Sequence, residues 1–147
     1  MKKLIFILLI GFSYIGFAQE ELHWETDFNT AKNIAAEQNK PILMYFTGSD
    51  WCSPCKQLKA DFFHSEEFIS KADKIVLLMV DVPFRQDIVT PEQLKKNKAL
   101  VKKLNREESF PLLLALDKNG REFNRISAYS SLRDTSMHFQ FLDSMLR

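Results

Sequence analysis

Pro41-Ile-Leu-Met-Tyr-Phe46 and, four residues on, Trp51-Cys52-Ser53-Pro54-Cys55-Lys56 are the stretch on which the fold turns. The apolar run is too short for a surface helix, so it reads as a buried central strand. Past it, Cys55, Leu58 and Phe62 recur at the spacing of one helix face. The chain's 2 cysteines therefore sit where a strand ends and a helix begins. This spacing turns Cys55 inward with the apolar stripe and leaves Cys52, in the first turn, exposed. N–H groups without intrahelical partners and the positive end of the helix dipole would stabilise a thiolate at Cys52. Pro54 suits the first turn, where its missing N–H costs nothing. A dithiol placed this way attacks with one sulfur and resolves with the other.

Other uses of the pair fit less well. A structural zinc site takes four ligands, and Cys-x-x-Cys offers two. His23, His64 and His138 are scattered singly, so no metal or other cofactor is expected. A structural staple is also a poor fit, because the loop closed is minimal and disulfide stabilisation grows with loop length.

Working outward, residues 1–18 have the layout of an export signal. Lys2 and Lys3 form a basic start, Leu4 to Phe17 an apolar stretch, and Gly16-Phe17-Ala18 puts small residues at the −3 and −1 cleavage positions. The apolar stretch is shorter than the roughly 20 residues that span a bilayer, so cleavage is expected ahead of retention as an anchor. The expected mature protein is a single domain, residues 19–147, delivered to the periplasm, where disulfides persist. Taking Lys2 and Lys3 from 20 basic residues leaves 18 against 19 acidic ones. Such a balance gives no support to nucleic-acid binding or to a membrane surface once the signal is gone. The Lys95-Lys96-Asn97-Lys98 run reads as the solvated face of a helix. With one vicinal cysteine pair the fold must rest on its core, which 13 phenylalanines and 46% hydrophobic residues can supply.

Along the mature chain, Leu22 to Glu25 suggests a short edge strand. Asp27 can cap a helix whose apolar face is Phe28, Ala31, Ile34 and Ala35. Ser65 caps a short helix after the cysteine helix, and Glu66 and Glu67 suit its dipole. Ile75 to Val80 is a second continuous apolar run, hence a second central strand. Thr90-Pro91-Glu92-Gln93 reads as a capping box, with Leu94, Leu100, Val101 and Leu104 as the buried stripe behind it. Leu112 to Leu116, the turn signal Asp117-Lys-Asn-Gly120, and Arg121 to Ala128 form a hairpin. A last helix carries Leu132, Phe139, Leu142 and Leu146. The order predicts an α/β fold: a central, mainly parallel sheet with one antiparallel edge hairpin and helices on both faces.

Trp-Cys-x-Pro-Cys-Lys between strand and helix, with Phe110-Pro111 opening a strand about 55 residues later, resembles the thioredoxin-like family. Asp50-Trp51-Cys52, Lys56, Phe63-His64-Ser65-Glu66 and Val80-Asp81-Val82 resemble stretches of one branch, the C-terminal domain of the periplasmic interchange protein DsbD and its stand-alone relatives. The resemblance implies that Cys52 is the attacking thiolate and Cys55 the buried resolving thiol. It implies that Pro111 is a cis-proline helping to hold an extended substrate segment; cis is a minority state, so this rests on the resemblance alone. It places Phe110 beside the same groove and Trp51 at its rim.

One departure stands out. Thioredoxins proper carry a buried Asp in the strand before the motif, with a Lys on the neighbouring strand, to move the resolving thiol's proton. Here the strand reads Met44-Tyr45-Phe46 and its neighbour carries no charge from Ile75 to Val80. Water or Asp50 is left as the base for Cys55. The activity implied is a thiol:disulfide oxidoreductase acting mainly as a reductase, because Ser53-Pro54 places no charge between the cysteines. A net oxidant or isomerase, or a non-catalytic binding module, is the alternative. Its partners would be disulfide-containing exported proteins and an unidentified thiol electron donor, with the protein itself a monomer.

Overall fold

Strand β2, Ile42–Thr47, lies at the centre of the computed structural model, which describes residues 21–147. The export signal expected over residues 1–18, and its cleavage before Gln19, lie outside the described residues. All of β2 is buried, as a strand covered on both faces must be. Side-chain alternation sends Ile42, Met44 and Phe46 to one face and Leu43 and Tyr45 to the other.

Strand β3, Val76–Asp81, runs parallel to β2, from Ile42 opposite Val76 to Thr47 opposite Asp81. The short β1, Trp24–Glu25, adds a parallel edge to β3. On the other side, β4, Leu112–Leu116, and β5, Glu122–Ser127, complete the order β1-β3-β2-β4-β5. The sheet is mixed: β5 is antiparallel to β4, and β4 is itself antiparallel to β2. The antiparallel share thus extends one pairing further than the expected edge hairpin. The consequence is functional, because β4 starts at the end of the sheet where β2 finishes, with Leu112 opposite Phe46.

Two helices cover the Ile42 face. Helix α1, Phe28–Gln38, is capped by Asp27, whose carboxylate accepts from the N–H groups of Asn29 and Thr30. It buries Ala31 and Ala35, with Phe28 and Ile34 packed alongside. Helix α4, Pro91–Leu104, is capped by Thr90, whose hydroxyl accepts from Gln93 N. Of the expected capping box the hydroxyl half forms, and the Gln93 amide nitrogen donates to Thr26 O and Asn97 Oδ1. In the lysine run the lysines are exposed, but Asn97 is buried and donates to Asp81 O at 2.7 Å. That residue fastens α4 to the end of β3 and does not belong to a solvated face.

The Tyr45 face is covered by α2, Ser53–Leu58, a π-helical turn, Lys59–Phe63, then α3, Glu66–Ala72, and α5, Ser136–Met145. Phe62, Phe63 and Phe68 meet edge-on or tilted at 4.9–5.1 Å between ring centroids. Phe141 and Leu142 of α5 close the same cluster. Leu132, expected on the last helix, is 86% exposed and precedes it. The chain turns there instead, with Arg133 in the left-handed region at φ 56° and its N–H bonded to Ser130 O. No helix among the described residues is long and apolar enough to cross a membrane.

Candidate active site

The segment leaving β2 is fixed before it reaches the cysteines. Gly48 O accepts from Trp51 N and Cys52 N, closing a tight turn. A Cβ at Gly48 would overlap the Trp51 indole, so glycine is needed there for close approach. Cys52 is the N-cap of α2, with an extended backbone, and its sulfur accepts from Cys55 N at 3.3 Å. Pro54 sits in the first turn, as the sequence predicts.

Cys52 and Cys55 form a disulfide, with their Cα atoms 5.3 Å apart. Cys55 faces the core as expected, but Cys52 does not stand exposed: the two are 2% and 3% accessible. Helical spacing alone puts the first sulfur outside. The bond to the inward-facing Cys55 draws it into the same cluster as Tyr45 and Phe62.

The position read as lacking the family's acid is filled by Tyr45. Its hydroxyl donates to Cys55 O at 3.1 Å, in a buried environment. Burial pushes the phenol up to about 12, so it stays protonated and acts as a donor. It holds the helix turn that carries the second cysteine and cannot serve as a base near neutral pH.

Asp50 is likewise a tether. Its carboxylate accepts from Phe84 N at 3.0 Å and Arg85 N at 2.8 Å. Partial burial pushes its pKa up, but the Arg85 and Phe84 N–H groups outweigh that and hold it below the ordinary carboxylate value. A carboxylate so committed is a weak base for Cys55. Asp81, at the end of β3, is buried and accepts from Ser49 N at 2.9 Å. Lys56 donates to Asp50 O at 2.9 Å. The cysteine turn is therefore tied to the segment after β3 through both aspartates.

Trp51, Phe110 and Pro111 come together at the end of the sheet where the cysteine turn leaves it. The Phe110–Pro111 peptide bond is cis, as the resemblance implies, and Pro111 directly precedes β4. Pro111 O accepts from Ala128 N at 2.9 Å. The Trp51 ring meets Phe110 edge-on at 5.3 Å and donates through Nε1 to Val82 O at 2.9 Å. It also stacks with Phe84 at 5.3 Å and 21°. Phe84 has no periodic signal in the sequence, since it lies in a loop 33 residues from the tryptophan it touches. Among the described residues, no three of His, Cys, Asp and Glu gather as a metal's ligands would.

The thioredoxin-like family model matches residues 23–118. The disulfide bond reductase DsbH of Chlamydia pneumoniae is 32% identical over 109 residues, 74% of this chain and 64% of that protein. The thioredoxin-related protein DsbJ of the same organism is 26% identical over 133 residues, 87% of this chain and 38% of that protein. The chain thus spans less than two thirds of either relative. A solved structure of a DsbH oxidoreductase superposes with a TM-score of 0.73 at 27% identity, covering 89% of this chain and 88% of that one. These relatives are DsbH and DsbJ, so the comparisons do not extend to the DsbD-domain branch suggested by the motif. A Cys-x-x-Cys disulfide capping a helix, a cis-proline opening the facing strand and a family match over most of the sheet lead to one conclusion: the chain belongs to the thioredoxin-like family.

Proposed function

We propose that the protein is an exported thiol:disulfide oxidoreductase that reduces disulfides in client proteins. The observation that carries this is the Cys52–Cys55 pair at a helix N-terminus, at the end of the sheet where cis-Pro111 opens β4. The likeness to a protein named disulfide bond reductase supports the direction.

In the reduced protein, the Cys52 thiolate attacks one sulfur of a client disulfide. That S–S bond breaks, one client sulfur leaves as a thiolate, and the other stays bonded to Cys52. Deprotonated Cys55 then attacks the Cys52 sulfur, the second client thiolate leaves, and the Cys52–Cys55 disulfide closes. The client gains two electrons, and an external thiol donor restores the dithiol by the reverse exchange. Cys55 N–H and the other free N–H groups of the helix start stabilise the Cys52 thiolate. Pro111, Phe110 and Trp51 are the groups against which an extended client segment would lie. Residues 1–18 would direct export and be removed, leaving a periplasmic monomer that begins at Gln19.

Trapping tests the roles. Cys55→Ser should accumulate mixed disulfides with clients on Cys52, and reduction of insulin by dithiothreitol should no longer be accelerated. If Cys52→Ser accumulates them instead, the two roles are reversed. If neither variant traps and the unaltered protein does not accelerate insulin reduction, the pair is not a working dithiol.

A further inference from the structure

We infer that Phe84 determines client specificity: with Trp51 it forms a rigid aromatic platform that favours client segments carrying an aromatic side chain close to the reacting cysteine. This rests on the oxidoreductase proposal above and adds a substrate class to it.

Phe84 is 77% exposed, although it lies beside a well-packed core. A large apolar side chain in a flexible loop would be expected to fold inward or to move freely. This one is held outward by the backbone around it. Phe84 N and Arg85 N are both bonded to the Asp50 carboxylate, and Val82 O is bonded to the Trp51 indole. The Phe84 ring is then fixed by stacking on Trp51. Three separate hydrogen bonds thus present one exposed ring, and each of them ends on the turn that carries Cys52.

The geometry sets what can occupy the platform. Phe84 and Phe110 each lie 5.3 Å from Trp51, the first stacked on it and the second edge-on, and Phe110 is the residue before Pro111. An extended chain advances about 3.3 Å per residue, so the three rings span at most about three residues of client. A client cysteine joined to Cys52, the residue after Trp51, therefore places its near neighbours in reach of the Trp51 and Phe84 rings. Those rings offer an apolar face already ordered, so binding orders little that was mobile in the protein. An aromatic side chain gains most on such a face, through stacking as well as burial. A small polar side chain gains little.

Single-turnover kinetics with the pre-reduced full-length mature protein test this. The substrates are disulfide-linked homodimers of short synthetic peptides, with Phe or Ser at each of the two positions on either side of the cysteine. At one or more of these positions, the second-order rate constant should be at least about fivefold higher for Phe than for Ser. In Phe84→Ala the ratio should fall towards one, and in Phe84→Leu it should lie between. Since Phe84 is exposed, neither change threatens folding. Equal rates for all dimers, or a Phe preference unaltered in Phe84→Ala, would overturn the platform while leaving the dithiol chemistry intact. No reduction of any dimer would overturn both.

Discussion

Replacing Gly48 with alanine should dislodge Trp51 without touching either cysteine. The added Cβ would overlap Cε2, Cζ2 and Nε1 of the indole, which is rigid and cannot give way by a small shift. The ring must rotate out, and three interactions go with it: the Nε1–H bond to Val82 O, the stack on Phe84 and the edge contact with Phe110. A solvent-accessible hydrogen bond contributes about 0.5–1.5 kcal/mol, and each aromatic pair about 0.5–1.5 kcal/mol. Alanine restricts the unfolded chain and returns about 0.4–1 kcal/mol. The net loss should be about 2 kcal/mol, or roughly 4–8 °C in Tm for a domain of this size. Thermal unfolding of the oxidised protein measures the loss. Hydrogen exchange at the Trp51 indole N–H reports the cause, because protection by Val82 should vanish. An unchanged Tm with the indole still protected would refute the close-packing account of Gly48.

Two further outcomes follow from the protonation states around the site. Tyr45 stays protonated and the Asp50 carboxylate is committed to two backbone N–H groups, so neither serves Cys55 as a base. With no side chain to take the Cys55 proton, the reacting thiolate must form by way of solvent; stopped-flow release of a mixed disulfide should therefore accelerate from about pH 7 to pH 9, and Asp50→Asn should keep that slope. A flat profile would show that another group takes the proton. The second outcome concerns His138, which is buried against Phe62 and Tyr129 with both ring nitrogens unpartnered. Burial holds its pKa below the ordinary value, so the folded state resists a proton that the unfolded chain accepts. Stability should fall as pH drops below about 6.5, by up to about 1.4 kcal/mol per unit until the folded pKa is reached. Urea unfolding at pH 7.5 and pH 5 should show that loss, and His138→Phe should remove it; equal losses in both proteins would refute it.

The parts of this fold that could be read in the chain are those whose cause is local. β2 and β3 are continuous apolar runs because both faces of the sheet are covered. Asp27, Ser65 and Thr90 each cap the helix that follows, because a short polar side chain there meets an N–H no other group can satisfy. One misreading has a distant cause and the other a turn that helical spacing does not register. Asn97 sits in a lysine run yet is buried, because its partner is Asp81 O, 16 residues away. Leu132 has helical spacing from the last helix, but the turn at Arg133 keeps it outside.

The site divides the same way. Cys52, Pro54 and Cys55 can be placed from spacing alone, and cis-Pro111 comes from family likeness. The burial of Cys52 follows from a bond between two side chains, which helical periodicity does not include. The tether from Asp50 to Phe84 and Arg85 joins segments 34 and 35 residues apart and leaves no pattern in either. Tyr45 is legible only as the absence of an acid, and its bond to Cys55 O gives that absence a structural role.

Whether the dithiol works as a reductase is decided by its reduction potential. Equilibrating the protein in glutathione buffers of graded ratio, and quantifying the Cys52–Cys55 disulfide by thiol alkylation, gives that value. With no charged residue between the cysteines, the potential should lie nearer thioredoxin's, about −270 mV, than the strong oxidant DsbA's, about −120 mV. A value above roughly −160 mV would rule out the reductase, because the pair would then draw electrons from client thiols.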